Sequence, residues 1–79
     1  MVRKPLTLAQ HDAGRRLGAS LREARGDRRL DEVARAANIS PETLRKIETG
    51  RLPTPAFGTI VLLSAALDVP ITHFADSWR

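Results

Sequence analysis

The chain has 79 residues and a formal net charge of +4, with 13 Lys or Arg against 9 Asp or Glu and no cysteine. This length predicts one domain with a single small core and leaves no room for an enzyme lobe. The missing cysteines exclude a disulfide framework and a thiolate metal site. Because the longest apolar stretch, residues 60–63, is far too short for a membrane span, we expect a cytoplasmic protein with no membrane partner.

The positive charge is concentrated in the first two thirds of the chain. Residues 1–51 contain twelve Lys or Arg and seven acids, whereas residues 52–79 contain one Arg and two acids. This asymmetry favours a polyanionic partner, because neutralising phosphates releases condensed counterions. The alternative is a basic face that is merely solvated.

Residues 1–6 are predicted to form a flexible basic arm that carries Arg3 and Lys4, and residues 7–79 are predicted to form the single domain. Thr7 can cap a long first helix over residues 8–25, and its apolar stripe consists of Leu17, Leu21 and Ala24. Gly14 and Gly18 lower the helix propensity there, which favours fraying or a kink. Their four-residue spacing reflects either close packing or chance.

Two short helices joined by a tight turn follow from Leu30 to Gly50. The first has a small apolar face of Val33, Ala34 and Ala37, and Asn38 breaks its pattern. Ser40 is a good N-cap and Pro41 suits a first helical position, so a second helix is predicted over residues 41–49. Its inward positions are Leu44 and Ile47, and Gly50 supplies the left-handed residue that ends it.

The remainder of the chain predicts two more helices. Thr54 and Pro55 repeat the Ser40–Pro41 cap pattern, so the fourth helix is expected to begin at residue 55 and to run to about Leu67. A last helix is predicted from Ile71 to about Ser77, and Phe74 points inward. Trp78 is expected either to cover the core or to join a dimer interface. With no strand signal, the fold class is all-α with five helices.

The pattern of alanine, turn, serine and isoleucine-glutamate-x-glycine resembles that of the Cro and phage-repressor-like (Xre) helix-turn-helix regulators. Here it is formed by Ala34, Asn38, Ser40, Ile47, Glu48 and Gly50. The resemblance covers residues 17–74, because a loop, a proline, an apolar helix and a short closing helix follow. It implies a five-helix lambda-repressor-like DNA-binding domain with the helix-turn-helix at helices 2 and 3.

The resemblance implies that helix 3 lies in the major groove of double-stranded DNA. Pro41, Glu42 and Lys46 take the positions that reach bases, and Thr43 and Arg45 flank them. Lys46 is the main base-contact candidate, because Lys can bond the O6 and N7 acceptors of guanine, although it can also be a solvated surface lysine. Glu42 can accept from a cytosine amino group or simply complement the positive N-terminus of the helix.

Phosphate contacts are expected from residues around the motif, namely Arg28, Arg29, Ser40, Arg51 and Thr54. The resemblance also implies a structural ion pair between Arg25 and Glu48, which ties helix 1 to helix 3. No catalytic residues or cofactor are expected, because no nucleophile and base pair stands out. His11 and His73 are too scattered for a metal site.

The leading hypothesis is therefore a small sequence-specific transcriptional regulator, a repressor that binds DNA as a homodimer. The apolar residues expected at the contact between the two copies are Ile71, Phe74 and Trp78. The alternative is a protein-interaction module with a protein partner, such as the antitoxin of a toxin-antitoxin pair.

Overall fold

A computed structural model describes residues 5–79, and within that range it contains five α-helices and no strand. The helices are α1 (Leu8–Arg25), α2 (Leu30–Ala36), α3 (Pro41–Glu48), α4 (Phe57–Leu67) and α5 (Ile71–Trp78). The predicted five-helix, all-α fold is confirmed. Residues 1–4 of the expected basic arm lie outside the described residues, and Pro5 and Leu6 belong to no helix. Within residues 5–79, no helix combines the length and the apolar character needed to cross a membrane.

The N-terminus of α1 is fixed by a reciprocal cap between Thr7 and Gln10. The Gln10 backbone N–H donates to Thr7 Oγ1 at 3.1 Å, and the Thr7 backbone N–H donates to Gln10 Oε1 at 2.8 Å. Two of the otherwise free backbone donors are satisfied in this way. At the other end, Gly26 terminates α1 with a φ of 59°, a conformation that favours glycine.

Gly14 and Gly18 are the points at which the rest of the molecule approaches α1 most closely. A Cβ atom at Gly18 would overlap the carbonyl oxygen of Ile47 and lie 2.7 Å from that of Glu48. A Cβ atom at Gly14 would overlap Pro53. Because α1 is one continuous helix through both glycines, the expected fraying is wrong and the two glycines serve close packing.

The turn between α2 and α3 is built from residues with special backbone requirements. Asn38 has a φ of 57°, a left-handed conformation that asparagine tolerates better than most residues. The Ile39 N–H then donates to the Ala34 carbonyl at 2.9 Å, which closes the turn. Gly50, with a φ of 79°, follows α3, which ends one residue earlier than predicted. The turn brings the short helices α2 and α3 into contact.

The core receives side chains from all five helices. α1 packs against α3 and α5, α2 packs against α3 and α4, and α4 packs against α5. The predicted inward positions of the first three helices are buried except Ala24, which lies at the edge of the core together with Ile60 and Ala66 of α4. The buried cluster consists of Leu17, Leu21, Val33, Ala34, Ala37, Leu44, Ile47, Leu63, Leu67 and Phe74.

The start of α4 differs from the prediction. Thr54 and Pro55 lie in the loop between α3 and α4, and α4 begins at Phe57 after Ala56, which provides no side-chain cap. The physical reason is that Pro53 is buried against Gly14, which holds the loop to the surface of α1. Tertiary packing therefore overrides a local cap signal like the one that correctly predicted the start of α3.

An ion pair ties the C-terminal end of α1 to that of α3. Arg25 Nε donates to Glu48 Oε2 at 2.7 Å and Nη2 donates to Oε1 at 3.0 Å, and their side chains are only 13% and 7% exposed. The hydrogen bonding to Glu48 raises the pKa of the Arg25 guanidinium, burial lowers it by less, and the charge of Glu48 adds to the increase. Arg25 Nη1 also donates to the Arg28 carbonyl at 2.7 Å, so the pair orders the connection to α2.

We expect Gly18→Ala to lower the free energy of unfolding by about 1–3 kcal/mol or more, because the new methyl group meets backbone atoms that cannot rotate away. The matched control is Gly58→Ala, since a Cβ atom at Gly58 meets nothing within 4 Å. That variant should gain about 0.5–1 kcal/mol from helix propensity. Urea unfolding followed by circular dichroism measures both, and equal stability of the two variants would contradict the close approach.

We expect Arg25→Met and Glu48→Met each to cost about 3–5 kcal/mol, because each leaves one buried charge without its partner. The double variant should be more stable than the sum of the single losses predicts, since it leaves neither charge behind. Urea unfolding of the wild type and the three variants gives the coupling energy. Additive losses would show that the two side chains do not stabilise each other.

Candidate nucleic-acid interface

α3 has one buried side and one polar side. Leu44 and Ile47 are 1% and 0% exposed and fix α3 to the core. The opposite side carries exposed or half-exposed side chains, namely Pro41, Glu42, Arg45, Lys46 and Thr49. Thr43, a predicted flanking residue, is half-buried at the edge between the two sides. The sequence-predicted base-contact positions thus share one accessible surface, which we call the α3 polar face.

The N-terminus of α3 is capped by Ser40. Its Oγ accepts from the Thr43 backbone N–H at 3.0 Å and lies 2.8 Å from Thr43 Oγ1. Pro41 occupies the first helical position, where its missing N–H breaks no hydrogen bond. Ser40 is therefore primarily a helix cap, and its exposed position also lets the hydroxyl meet an anion at the helix start.

Glu42 and Lys46 form an ion pair within the α3 polar face. Lys46 Nζ lies 3.5 Å from Glu42 Oε1, and the side chains are 43% and 78% exposed. The four-residue spacing of opposite charges is the sequence signal for this pair. Because an exposed pair of this kind contributes only about 0.3–0.5 kcal/mol, a ligand can separate it at little cost.

Arg45 and Arg51 are the accessible cations next to this pair. Both are exposed, and neither side chain forms a hydrogen bond or ion pair with any other described residue. Arg45 lies on the α3 polar face and Arg51 follows Gly50, so both are close in sequence to the end of α3. Two unpaired guanidinium groups are therefore available to phosphates or to base edges.

Arg28 and Arg29, the predicted phosphate contacts before α2, have different environments. Arg29 Nε donates to Asp31 Oδ1 at 3.3 Å. Partial desolvation raises the pKa of Asp31, but the charge of Arg29 and the hydrogen bonds that Asp31 accepts lower it overall. Arg28 Nη1 instead donates to the Ala66 carbonyl at 3.4 Å, near the end of α4. The side chain of Arg28 is thus directed towards α4 and not towards α3.

Thr54, the last predicted phosphate contact, lies in the loop after α3. Its side chain is exposed and forms no hydrogen bond within residues 5–79. It borders an apolar groove between this loop, α4 and α5, in which Phe57, Ile71 and Trp78 are lining residues. Thr54 and Arg51 therefore belong to one loop, on either side of the buried Pro53.

Arg35 and Asn38 join the site although the sequence did not predict them. Together with Asp31, Ile39 and Pro41 they line a hollow where α2, the turn and the N-terminus of α3 meet. Arg35 is exposed and has no side-chain partner among residues 5–79. The sequence signal for Arg35 was its position outside the small apolar face of α2. Within the same residues, no group of three or more His, Asp or Glu side chains is arranged to hold a metal ion.

Comparisons with known proteins agree with this geometry. A family model described as a helix-turn-helix domain matches residues 12–76. Among solved structures, the chain is similar to the clp gene regulator ClgR from C. glutamicum, with 28% sequence identity and a TM-score of 0.69 over 95% of this chain and 91% of that one. No curated protein matches significantly. Because the family model spans most of the chain, the protein belongs to the helix-turn-helix domain family.

Proposed function

We propose that this protein is a transcriptional regulator of the Cro and phage-repressor-like (Xre) type that binds double-stranded DNA sequence-specifically. The observation that carries the proposal is the α3 polar face, which is accessible on one side and fixed to the core on the other by Leu44 and Ile47. Membership of the helix-turn-helix domain family and similarity to a gene regulator support it. We further propose that it represses, because a domain of this size can block a promoter simply by occupying it.

In the proposed complex, α3 enters the major groove, whose width of about 12 Å admits a helix. Arg45 is free to bind guanine or a phosphate. Lys46 reaches a base when its weak pair with Glu42 separates, and the Glu42 carboxylate then accepts from a cytosine amino group or remains in solvent. Sequence preference thus comes from Arg45, Lys46 and Glu42.

Phosphate contacts in this proposal come from groups on both sides of α3. Ser40 lies at its N-terminus, and Arg51 and Thr54 lie in the loop that follows it. Of the two arginines before α2, we favour Arg29, which is exposed, over Arg28, which donates to the Ala66 carbonyl. These contacts fix the register of the protein on the duplex without reading its sequence.

We propose that the protein binds as a homodimer and that α4 supplies the contact. Residues 57–67 contain no charged residue. Their outward side includes Phe57, Leu62 and Val61, which are 76%, 45% and 41% exposed. Two copies, each with a net charge of +4, can meet at this uncharged surface with little repulsion. Exposed apolar patches of this kind commonly mark protein interfaces.

The dimer contact expected around α5 needs revision. Phe74 is 0% exposed, and Trp78 is partly buried with its indole N–H bonded to the Pro53 carbonyl. Of the three residues named for that contact, Ile71 and Trp78 remain as lining residues of the apolar groove. The proposed contact therefore combines the outward side of α4 with this neighbouring groove. In a two-fold dimer, Phe57 of each copy can fill the groove of the other.

We expect Arg45→Ala to weaken binding to a selected duplex by about 1–3 kcal/mol in free energy if Arg45 contacts a base. The duplex is obtained by selecting a random-sequence pool on the wild-type protein and sequencing what is retained. Fluorescence anisotropy at several salt concentrations then measures the affinity and its salt dependence.

The matched control is Arg79→Ala, which removes the same charge from an 80% exposed side chain outside α2, α3 and the loop after α3. It should change the affinity far less than Arg45→Ala does. Selection of duplexes without any shared motif would contradict sequence-specific reading, and absence of retention would direct the search to a protein partner.

We expect Val61→Glu to convert dimer to monomer by raising the dimer dissociation constant at least about tenfold, because it places a like charge on both sides of the contact. Sedimentation equilibrium, with and without the selected duplex, measures the association state. The matched control is Ala19→Glu on the exposed side of α1, which adds the same charge elsewhere. A wild-type protein that is monomeric both alone and on DNA would contradict the dimer, and an unaffected dimer in Val61→Glu would exclude α4 as its contact.

A further inference from the structure

The loop between α3 and α4, residues 49–56, is held from two sides at Pro53. On one side, Gly14 of α1 is so close that a Cβ atom there would overlap Pro53. On the other side, the Trp78 indole N–H donates to the Pro53 carbonyl at 2.9 Å. We call this arrangement the Pro53 clamp. It joins the two ends of the described chain, α1 and α5, to the loop that follows α3.

The loop has few other means of fixing its shape. Pro53 and Pro55 have no backbone N–H to donate. The start of the loop is fixed by the Leu52 N–H, which donates to the Lys46 carbonyl at 3.0 Å. Among residues 5–79, the bond from Trp78 is the only hydrogen bond between α5 and the loop. Trp78 therefore supplies the hydrogen bond by which α5 holds the middle of the loop, in addition to the packing of Pro53 against Gly14.

Trp78 is itself held in place by α1. The Arg16 guanidinium donates to the Ser77 carbonyl at 3.3 Å and to the Arg79 carbonyl, so the residues on both sides of Trp78 are anchored. The indole ring packs at the edge of the core and lines the apolar groove beside Pro55. The hydrogen bonds from Arg16 and the packing of the indole ring thus fix the position of the donor N–H beside Pro53.

We propose that Trp78 is a positioning residue for DNA binding, acting through Pro53 on the phosphate contacts of Arg51 and Thr54. This inference rests on the function proposed above. Arg51 and Thr54 flank Pro53 in sequence, both are exposed, and neither has a side-chain partner among the described residues. Because the clamp restricts the loop, Arg51 and Thr54 lose less conformational freedom when they bind phosphates. Arg45, on α3, does not depend on the clamp.

The test is a pair of double-mutant cycles in which Trp78→Phe keeps an aromatic ring and removes the donor. Binding is measured on the duplex selected by the wild-type protein. Trp78→Phe should weaken binding by about twofold to tenfold, the range for one net hydrogen bond. Arg51→Ala should weaken it up to about fivefold in the wild type and reduce the salt slope by about one. In the Trp78→Phe background, Arg51→Ala should have little further effect.

Arg45→Ala is the matched control for Arg51→Ala, and it should weaken binding by the same factor in both backgrounds. General loosening of the fold would instead change the effects of Arg45→Ala and Arg51→Ala alike, and that result would overturn the proposal. An unchanged effect of Arg51→Ala in Trp78→Phe would overturn it as well. Gly14→Ala perturbs the clamp from the α1 side and should reproduce the selective loss, whereas Gly58→Ala should not.

A measurement without DNA separates this inference from the proposed function. Amide hydrogen exchange at Leu52, whose N–H donates to the Lys46 carbonyl, should be faster in Trp78→Phe than in the wild type, and exchange in α2 and α3 should be unchanged. If the wild type binds no duplex, the proposed function and the positioning role both fail, and faster exchange would still establish the clamp. If the duplex is bound and exchange is unchanged, the clamp is wrong while the proposed function stands.

Discussion

The close approach of α1 to the C-terminal end of α3 is the constraint on which the rest of the structure depends. It needs the absent side chain of Gly18, since the carbonyl oxygens of Ile47 and Glu48 occupy that space. It is reinforced by the buried ion pair of Arg25 and Glu48 at the same end. Steric fit and charge pairing together fix α3 on the longest helix, and the orientation of its polar face follows from that attachment.

Unpaired positive charge and exposed apolar side chains lie in different regions of the molecule. Guanidinium groups without partners among residues 5–79 belong to α2, α3 and the loop after α3, as Arg35, Arg45 and Arg51 show. The exposed apolar side chains of α4 lie on a helix that has no charge at all. In the proposed function, a polyanion and a second protein surface therefore meet largely different side chains of one small domain, and Thr54 lies at the border between the two regions.

Much of the fold could be predicted from the sequence because local signals and burial agree there. Ser40, Pro41 and Gly50 mark the ends of α3 through backbone chemistry that agrees with the packing of this helix on the core. The same cap signal at Thr54 and Pro55 did not predict the start of α4. Packing of Pro53 against Gly14 decides the path of that loop, and this contact cannot be predicted from the local sequence. The hydrogen bond from Arg28 to the Ala66 carbonyl could not be predicted from the sequence either, because it joins residues far apart in the chain. The pair of Glu42 and Lys46 was readable from spacing alone.

The lengths of the helices have a consequence for how the domain folds. α2 has 7 residues and α3 has 8, whereas isolated helices shorter than about 12–15 residues are marginal in water. The helix-turn-helix is therefore no autonomous unit, and it exists only while α1, α4 and α5 support it. A partner that binds only the folded form adds its binding free energy to the stability of that form. Such a partner therefore raises the melting temperature of the entire chain.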